Sequence, residues 1–165
     1  MSRVSFNVFG EPVGQARPRF ARIGAGVRTY TPKATAEWVK RVKVDAEHAL
    51  QFAPEFDTEA PMDVVLVFFM PIPASWPKWK REAAARGQVA HTSKPDADNL
   101  AKAALDGLSG VLFTDDAQVV SLTVSKGYSA SHYVGVQVDA RSCPYPISST
   151  TKRNPTKAAE EARIA

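Results

Sequence analysis

Residues 94–119 read KPDADNLAKAALDGLSGVLFTDDAQV, a stretch holding five of the seven aspartates found beyond position 60. Four of them form two tight pairs, Asp96/Asp98 and Asp115/Asp116, and Lys102 stands between the pairs. Carboxylates this close repel one another, so each must be solvated, paired or bound to a cation. Hard divalent cations take oxygen ligands, and Mg²⁺ typically uses one or two carboxylates with water and substrate phosphate. An ion held in this way polarises a phosphoryl oxygen, lowers the pKa of an attacking water and stabilises the leaving oxygen. Lys102, one helical turn beyond Asp98, is placed to neutralise charge developing on a phosphate oxygen.

Each piece also has a plainer reading. A lone D-x-D is more often a helix cap followed by a solvated acid. Asp98 four residues before Lys102 is a favourable helical ion pair worth only ~0.3–0.5 kcal/mol. Asp115-Asp116 taken alone is more often a turn.

The elements that would carry these residues can be read from periodicity. Asp98, Lys102 and Asp106 share one face of a helix predicted over 98–109, while Leu100, Ala104 and Leu108 face the core. Asp96 precedes that helix, where positive backbone N–H groups tolerate a carboxylate. Asp115 and Asp116 fall in the turn before a strand in which Val120, Leu122 and Val124 alternate. If that strand packs beside the helix start, all four acids converge at one edge of a sheet.

Elsewhere, Val4, Phe6 and Val8 predict a half-buried strand, and the Gly-, Pro- and Arg-rich segment 10–32 a long loop or mobile hairpin. A helix is expected over 32–52, with Thr31 as N-cap and Pro32 at the first helical position. MDVVLVFFM (62–70) reads as a central strand covered on both faces. A proline-rich turn then leads to a short helix ending at Gly87. Val134, Val136 and Val138 form a last strand, and the short loop YSASH predicts that it pairs antiparallel with the Val120–Val124 strand. The result is a single α+β domain over 1–141 with a mixed sheet of about four strands packed against helices. A disordered tail is expected over 142–165.

Charge and composition narrow the function. The apolar share of 44% and charged share of 23% are those of a soluble globular protein. No apolar run is long enough to span a membrane, and the N-terminus lacks the plan of a signal peptide. The single cysteine, Cys143, points to a reducing cytoplasm, and with three scattered histidines it makes a structural zinc site a poor fit. The net charge is +4, and residues 1–50 carry nine Lys/Arg against four Asp/Glu. A basic front half before an acidic cluster suits a chain that attracts a polyanion and holds cations against it. Arg17, Arg19, Arg22 and Arg28, interleaved with Phe20 and Tyr30, are candidates for gripping phosphates, with the rings available to stack on unpaired bases. Lys94 and Lys126 are further candidates for phosphate contact. His91, five residues before Asp96, invites a general-base role, but a metal-bound hydroxide needs no such base, and a surface histidine is expected. Trp76 and Trp79 are read as packing residues, or as a subunit contact if exposed.

The combined pattern is more specific than its parts. KPDADNLAKAALDGL followed by DDAQVV resembles the RusA family of Holliday junction resolvases. The likeness extends to GEPVGQARPRF with VRTYTPKATAEW, and to KGY at 126–128, covering roughly residues 3–139. The resemblance implies a RusA-like fold and an endonuclease that cuts four-way DNA junctions symmetrically as a homodimer. It also implies dependence on Mg²⁺, with Mn²⁺ as a substitute, no small-molecule cofactor, and a phage or prophage origin. Asp96, Asp98 and Asp116 match the family's metal-binding acids, and Lys102 matches its functional lysine. Asp115, as a further metal candidate, and Asp106 match acidic positions with supporting roles. Two other functions compete: a nuclease for flaps or forks, and a non-catalytic DNA-binding protein retaining the fold. A phosphotransferase is disfavoured because neither G-x-x-x-x-G-K-[ST] nor G-x-G-x-x-G occurs.

Overall fold

The computed structural model describes residues 2–17, 19–23, 26–130 and 133–143, with side chains described outside 18–29. Its elements run β1 (Arg3–Phe9), β2 (Arg19–Ile23), β3 (Gly26–Tyr30), α1 (Lys33–Gln51), β4 (Met62–Met70), α2 (Lys78–Ala85), α3 (Ala97–Leu108), β5 (Val119–Tyr128) and β6 (Gly135–Ser142). Four strands form one mixed sheet in the order β1-β6-β4-β5, and β2 pairs with β3 as a separate antiparallel hairpin. The α+β expectation therefore holds, and the arginine-rich segment takes the hairpin form. The expected tail lies outside the described residues from 144 onward, and β6 itself runs to Ser142.

The final pair of strands differs from the sequence reading. β5 and β6 do not form a hairpin; β4 lies between them, antiparallel to β6 and parallel to β5. The short connection is a local cue, whereas β4 is apolar at every position but Asp63 and gains most from an interior position. A parallel neighbour needs a long crossover, and the α2–α3 segment between β4 and β5 supplies one.

β4 departs from the reading in a second way. Met62, Val64, Leu66, Phe68 and Met70 are buried, but the alternate residues Asp63, Val65, Val67 and Phe69 are only half-buried. The strand is covered on one face, because α1 and α3 contribute to the same core. That core joins Val4, Val8, Val64, Leu66, Val136 and Val138 of the sheet to Trp38, Val42, Leu100 and Leu108 of the helices. On the opposite face Asp139 pairs with Arg3 and Arg141. Phe9 and Phe69 meet Tyr133 edge-on there.

α1 begins one residue later than expected, with Pro32 at the N-cap position and no side-chain cap. It lies tightly against α3. A Cβ added at Gly107 would sit 2.7 Å from the Val42 Cβ and 2.8 Å from the Val39 carbonyl oxygen. This glycine lets the two helices approach and holds α3 in place along the core.

Candidate metal and phosphate site

α3 presents its two faces as the periodicity requires. Leu100, Ala104 and Leu108 are fully buried, whereas Asp98, Lys102 and Asp106 are exposed. Asp96 occupies the N-cap position in extended backbone, yet its side chain makes no capping hydrogen bond. Its carboxylate is therefore not committed to the helix.

Asp98, Lys102 and Asp106 line one depression of about 480 Å³, whose other wall includes Asp116, Leu122 and Val124. The strand after the acidic turn does pack beside α3, and it carries Asp116 to the same hollow as Asp98. Among the described residues, none of Asp98, Lys102, Asp106 and Asp116 takes part in an ion pair. The helical pair Asp98–Lys102, the plain alternative for this spacing, is thus not formed.

The turn that delivers Asp116 is fastened by Gln118. Its Oε1 accepts the N–H groups of Thr114 (2.8 Å) and Asp115 (3.0 Å), and its Nε2 donates to the carbonyls of Thr58 and Ala60. Asp115 Oδ1 accepts the Ala117 N–H at 2.8 Å, so Asp115 caps the single 3₁₀ turn Asp116–Gln118. The sequence reading uses Gln118 only as part of the family resemblance and gives it no structural role, although the D-x-x-Q spacing is that of a capping box.

Asp96 lines a second depression, of about 510 Å³, together with Lys94, Gln15 and Asn99. Here the N-terminal segment crosses the start of α3. The Gln15 N–H donates to the Asn99 carbonyl at 2.8 Å, and a Cβ at Gly14 would lie 3.1 Å from the Pro95 Cβ. Gln15 Oε1 is buried there without a hydrogen-bond partner among the described residues. Arg17, two residues on, is exposed, so the segment leading to the hairpin starts beside the acids. Arg19 and Arg22 lie on β2 and Arg28 on β3, but their side chains fall outside the described residues.

Lys94 is exposed beside Asp96. Lys126 has a different setting: its Nζ donates to the carbonyls of Ser93 and Pro95, both at 2.8 Å. His91 is buried rather than at the surface, 4.8 Å from the Tyr128 ring, with its Nδ1 unpartnered among the described residues. Burial, and then the Lys126 charge, lower its pKa. Trp76 packs edge-on against Tyr128 with the Lys80 ammonium over its ring, whereas Trp79 is 68% exposed.

Among the described residues no three acidic, histidine or cysteine side chains are gathered closely enough to enclose a cation. The donor set nevertheless fits Mg²⁺, which uses one or two carboxylates and fills its remaining positions with water and phosphate oxygens. Asp98 and Asp116 on one hollow meet that requirement, and Lys102 beside them, in no ion pair among the described residues, is a positive charge suited to a phosphate.

Asp98, Asp116 and Lys102, the last in no ion pair among the described residues, thus lie together at one edge of the sheet. The family model described as Endodeoxyribonuclease RusA matches residues 10–139, and the chain belongs to that family of endodeoxyribonucleases. Over 140 residues the chain is also 35% identical to the "Uncharacterized protein YqaN" of Bacillus subtilis (strain 168), an alignment covering 84% of this chain and 96% of the relative. Among the described residues no helix is long and apolar enough to cross a membrane.

Proposed function

We propose that the chain is a Mg²⁺-dependent endonuclease that resolves four-way DNA junctions by paired, symmetrical phosphodiester hydrolysis, with Mn²⁺ able to replace Mg²⁺. The observation that carries this reading is the placement of Asp98, Lys102 and Asp116 around one hollow. Asp98 and Asp116, with Asp96 from the adjoining turn, are the residues that would hold the cation. Bound there, it would activate a water and stabilise the leaving oxygen. Lys102, without a carboxylate partner, neutralises the phosphate oxygen on which charge develops. Arg17 and Lys94, with Arg19, Arg22 and Arg28 of the hairpin, supply phosphate contacts that orient the strand over the hollow. Asp115 serves chiefly to cap the turn, and Asp106 adds to the field that attracts the cation. The catalytic unit spans residues 1–141.

One chain supplies one such hollow, and a junction needs two cuts at related positions. Two chains related by a two-fold axis would present equivalent sites to a substrate of matching symmetry. Incubating the protein with a labelled synthetic four-way junction, with and without Mg²⁺, tests the reaction. Symmetrical paired nicks only with the metal support it. Equal attack on linear duplex would replace it with a general nuclease, and preference for flaps or forks with a nuclease for other branches. Sedimentation should give about twice the 17.9 kDa chain mass, and a monomeric mass with full paired cutting would defeat the dimer.

A further inference from the structure

The acids of the proposed site arrive on two separate stretches of chain, and β5 touches both. Near its start lies the turn that carries Asp116. Leu122, Val124, Lys126 and Tyr128 share one face of the strand, in register with the buried Val64, Leu66, Phe68 and Met70 of β4. Leu122 and Val124 wall the hollow containing Asp98 and Asp116. Two residues further on, where the row would accept an apolar side chain, stands Lys126. A half-buried ammonium needs oxygen partners, and its two are the carbonyls of Ser93 and Pro95. The Pro95 carbonyl belongs to the peptide unit whose nitrogen is that of Asp96. An N–H bond on this oxygen therefore fixes the peptide plane from which the Asp96 backbone departs. The segment is also tied to the strand by a bridge between Ala90 and Gly127.

We infer that Lys126 is a positioning residue, holding the 93–95 turn so that Asp96 meets the site shared by Asp98 and Asp116, and that it is not a phosphate contact. The inference rests on the cation reading given above. Lys126 spends two of its three N–H donors on backbone before any DNA arrives. Asp96, which has no capping bond to hold its side chain, depends on the backbone below it for orientation. Partners that orient ligands in this way typically account for 10–100-fold in metal affinity.

The test is Mn²⁺ titration of the DNA-free protein by calorimetry, comparing wild type, Lys126→Met, Lys126→Arg and Asp96→Asn, each with its thermal midpoint recorded. Lys126→Met, which keeps the stem and removes the donors, should weaken Mn²⁺ binding by about 10–100-fold. Lys126→Arg should restore most of the loss. Junction affinity measured without metal, and its salt slope, should stay at wild-type values. If Asp96→Asn weakens Mn²⁺ binding and Lys126→Met does not, the positioning role fails alone. If neither change moves it, Asp96 is no ligand and the inference fails while Asp98 and Asp116 remain the candidate pair. If the wild type itself takes up no Mn²⁺, the cation reading fails and takes this inference with it. Acetylation footprinting of the wild-type protein decides the matter should Lys126→Met not fold. A positioning Lys126 stays poorly reactive with and without junction, whereas one that is reactive alone and protected by junction is a phosphate contact, which overturns the inference.

Discussion

Gln118 and Asp115 hold one another across the acidic turn: the Asp115 N–H donates to Gln118 Oε1, and the Gln118 N–H donates to the Asp115 carbonyl, both at 3.0 Å. Asp116, between them, owes its place to this arrangement. Gln118→Ala should leave the N–H groups of Thr114 and Asp115, and the carbonyls of Thr58 and Ala60, without their partner. A loss of about 1–3 kcal/mol in chemical denaturation is expected, with a fall in cleavage at temperatures where the variant stays folded. Unchanged stability would mean that water replaces the side chain without cost.

Asp96→Asn, Asp98→Asn and Asp116→Asn should each abolish junction cleavage while preserving or tightening junction binding. Every change removes a candidate ligand together with a negative charge facing phosphate. Gel-shift and cleavage assays on the same preparations measure both effects. Near-wild-type cutting by any one of the three would remove that residue from the site.

Lys102→Ala should lower the single-turnover cleavage rate by about 10²-fold, the scale of one lost transition-state donor. The fold should survive, because Lys102 is exposed and makes no ion pair among the described residues. An unaltered rate would make it a solvated lysine on the polar face of α3.

Arg17→Ala combined with Arg19→Ala should weaken binding to many DNA sequences alike. The slope of log affinity against log salt should flatten by about two if both contact phosphate. A wild-type slope would exclude this part of the N-terminal segment from the contacts.

His91 sets a pH dependence of stability. Its pKa lies below the ordinary 6.5, chiefly through burial and secondarily through Lys126, and Glu11 and Lys94 line the same depression. The unfolded chain therefore takes up the proton first as the pH falls. The stabilising contribution is full above 6.5 and is lost progressively below it, toward the depressed folded value. Urea midpoints of the wild type should fall between pH 7 and pH 5, and those of His91→Gln should fall less. Parallel loss in both would place the dependence elsewhere.

The sequence by itself determined whatever depends on local spacing. The polar and apolar faces of α3, the position of the acids at its start, the strand at Val4–Val8 and the end of α2 near Gly87 all follow from side-chain type at a fixed period. The K-P-D-x-D-N-L-x-K and D-D-x-Q strings were likewise enough to indicate the family. Tertiary structure decided which strands are neighbours. β4 separates β5 from β6 because burial of its apolar row outweighs the short loop that suggested a hairpin. The same placement turned residues read singly into parts of a site. Taken from the sequence, Lys126 is a candidate DNA contact, because a lone lysine on a strand carries no sign of what it will meet. Only the parallel pairing of β5 with β4 brings its ammonium to the carbonyls of Ser93 and Pro95. The expectation of a surface histidine at 91 fails for the same reason: its burial against Tyr128 joins two segments far apart in the chain. Hydrogen bonds from a side chain to distant backbone carbonyls, such as those of Lys126 and Gln118, leave no periodicity in the sequence, and so these supports of the acids are visible only in the folded chain.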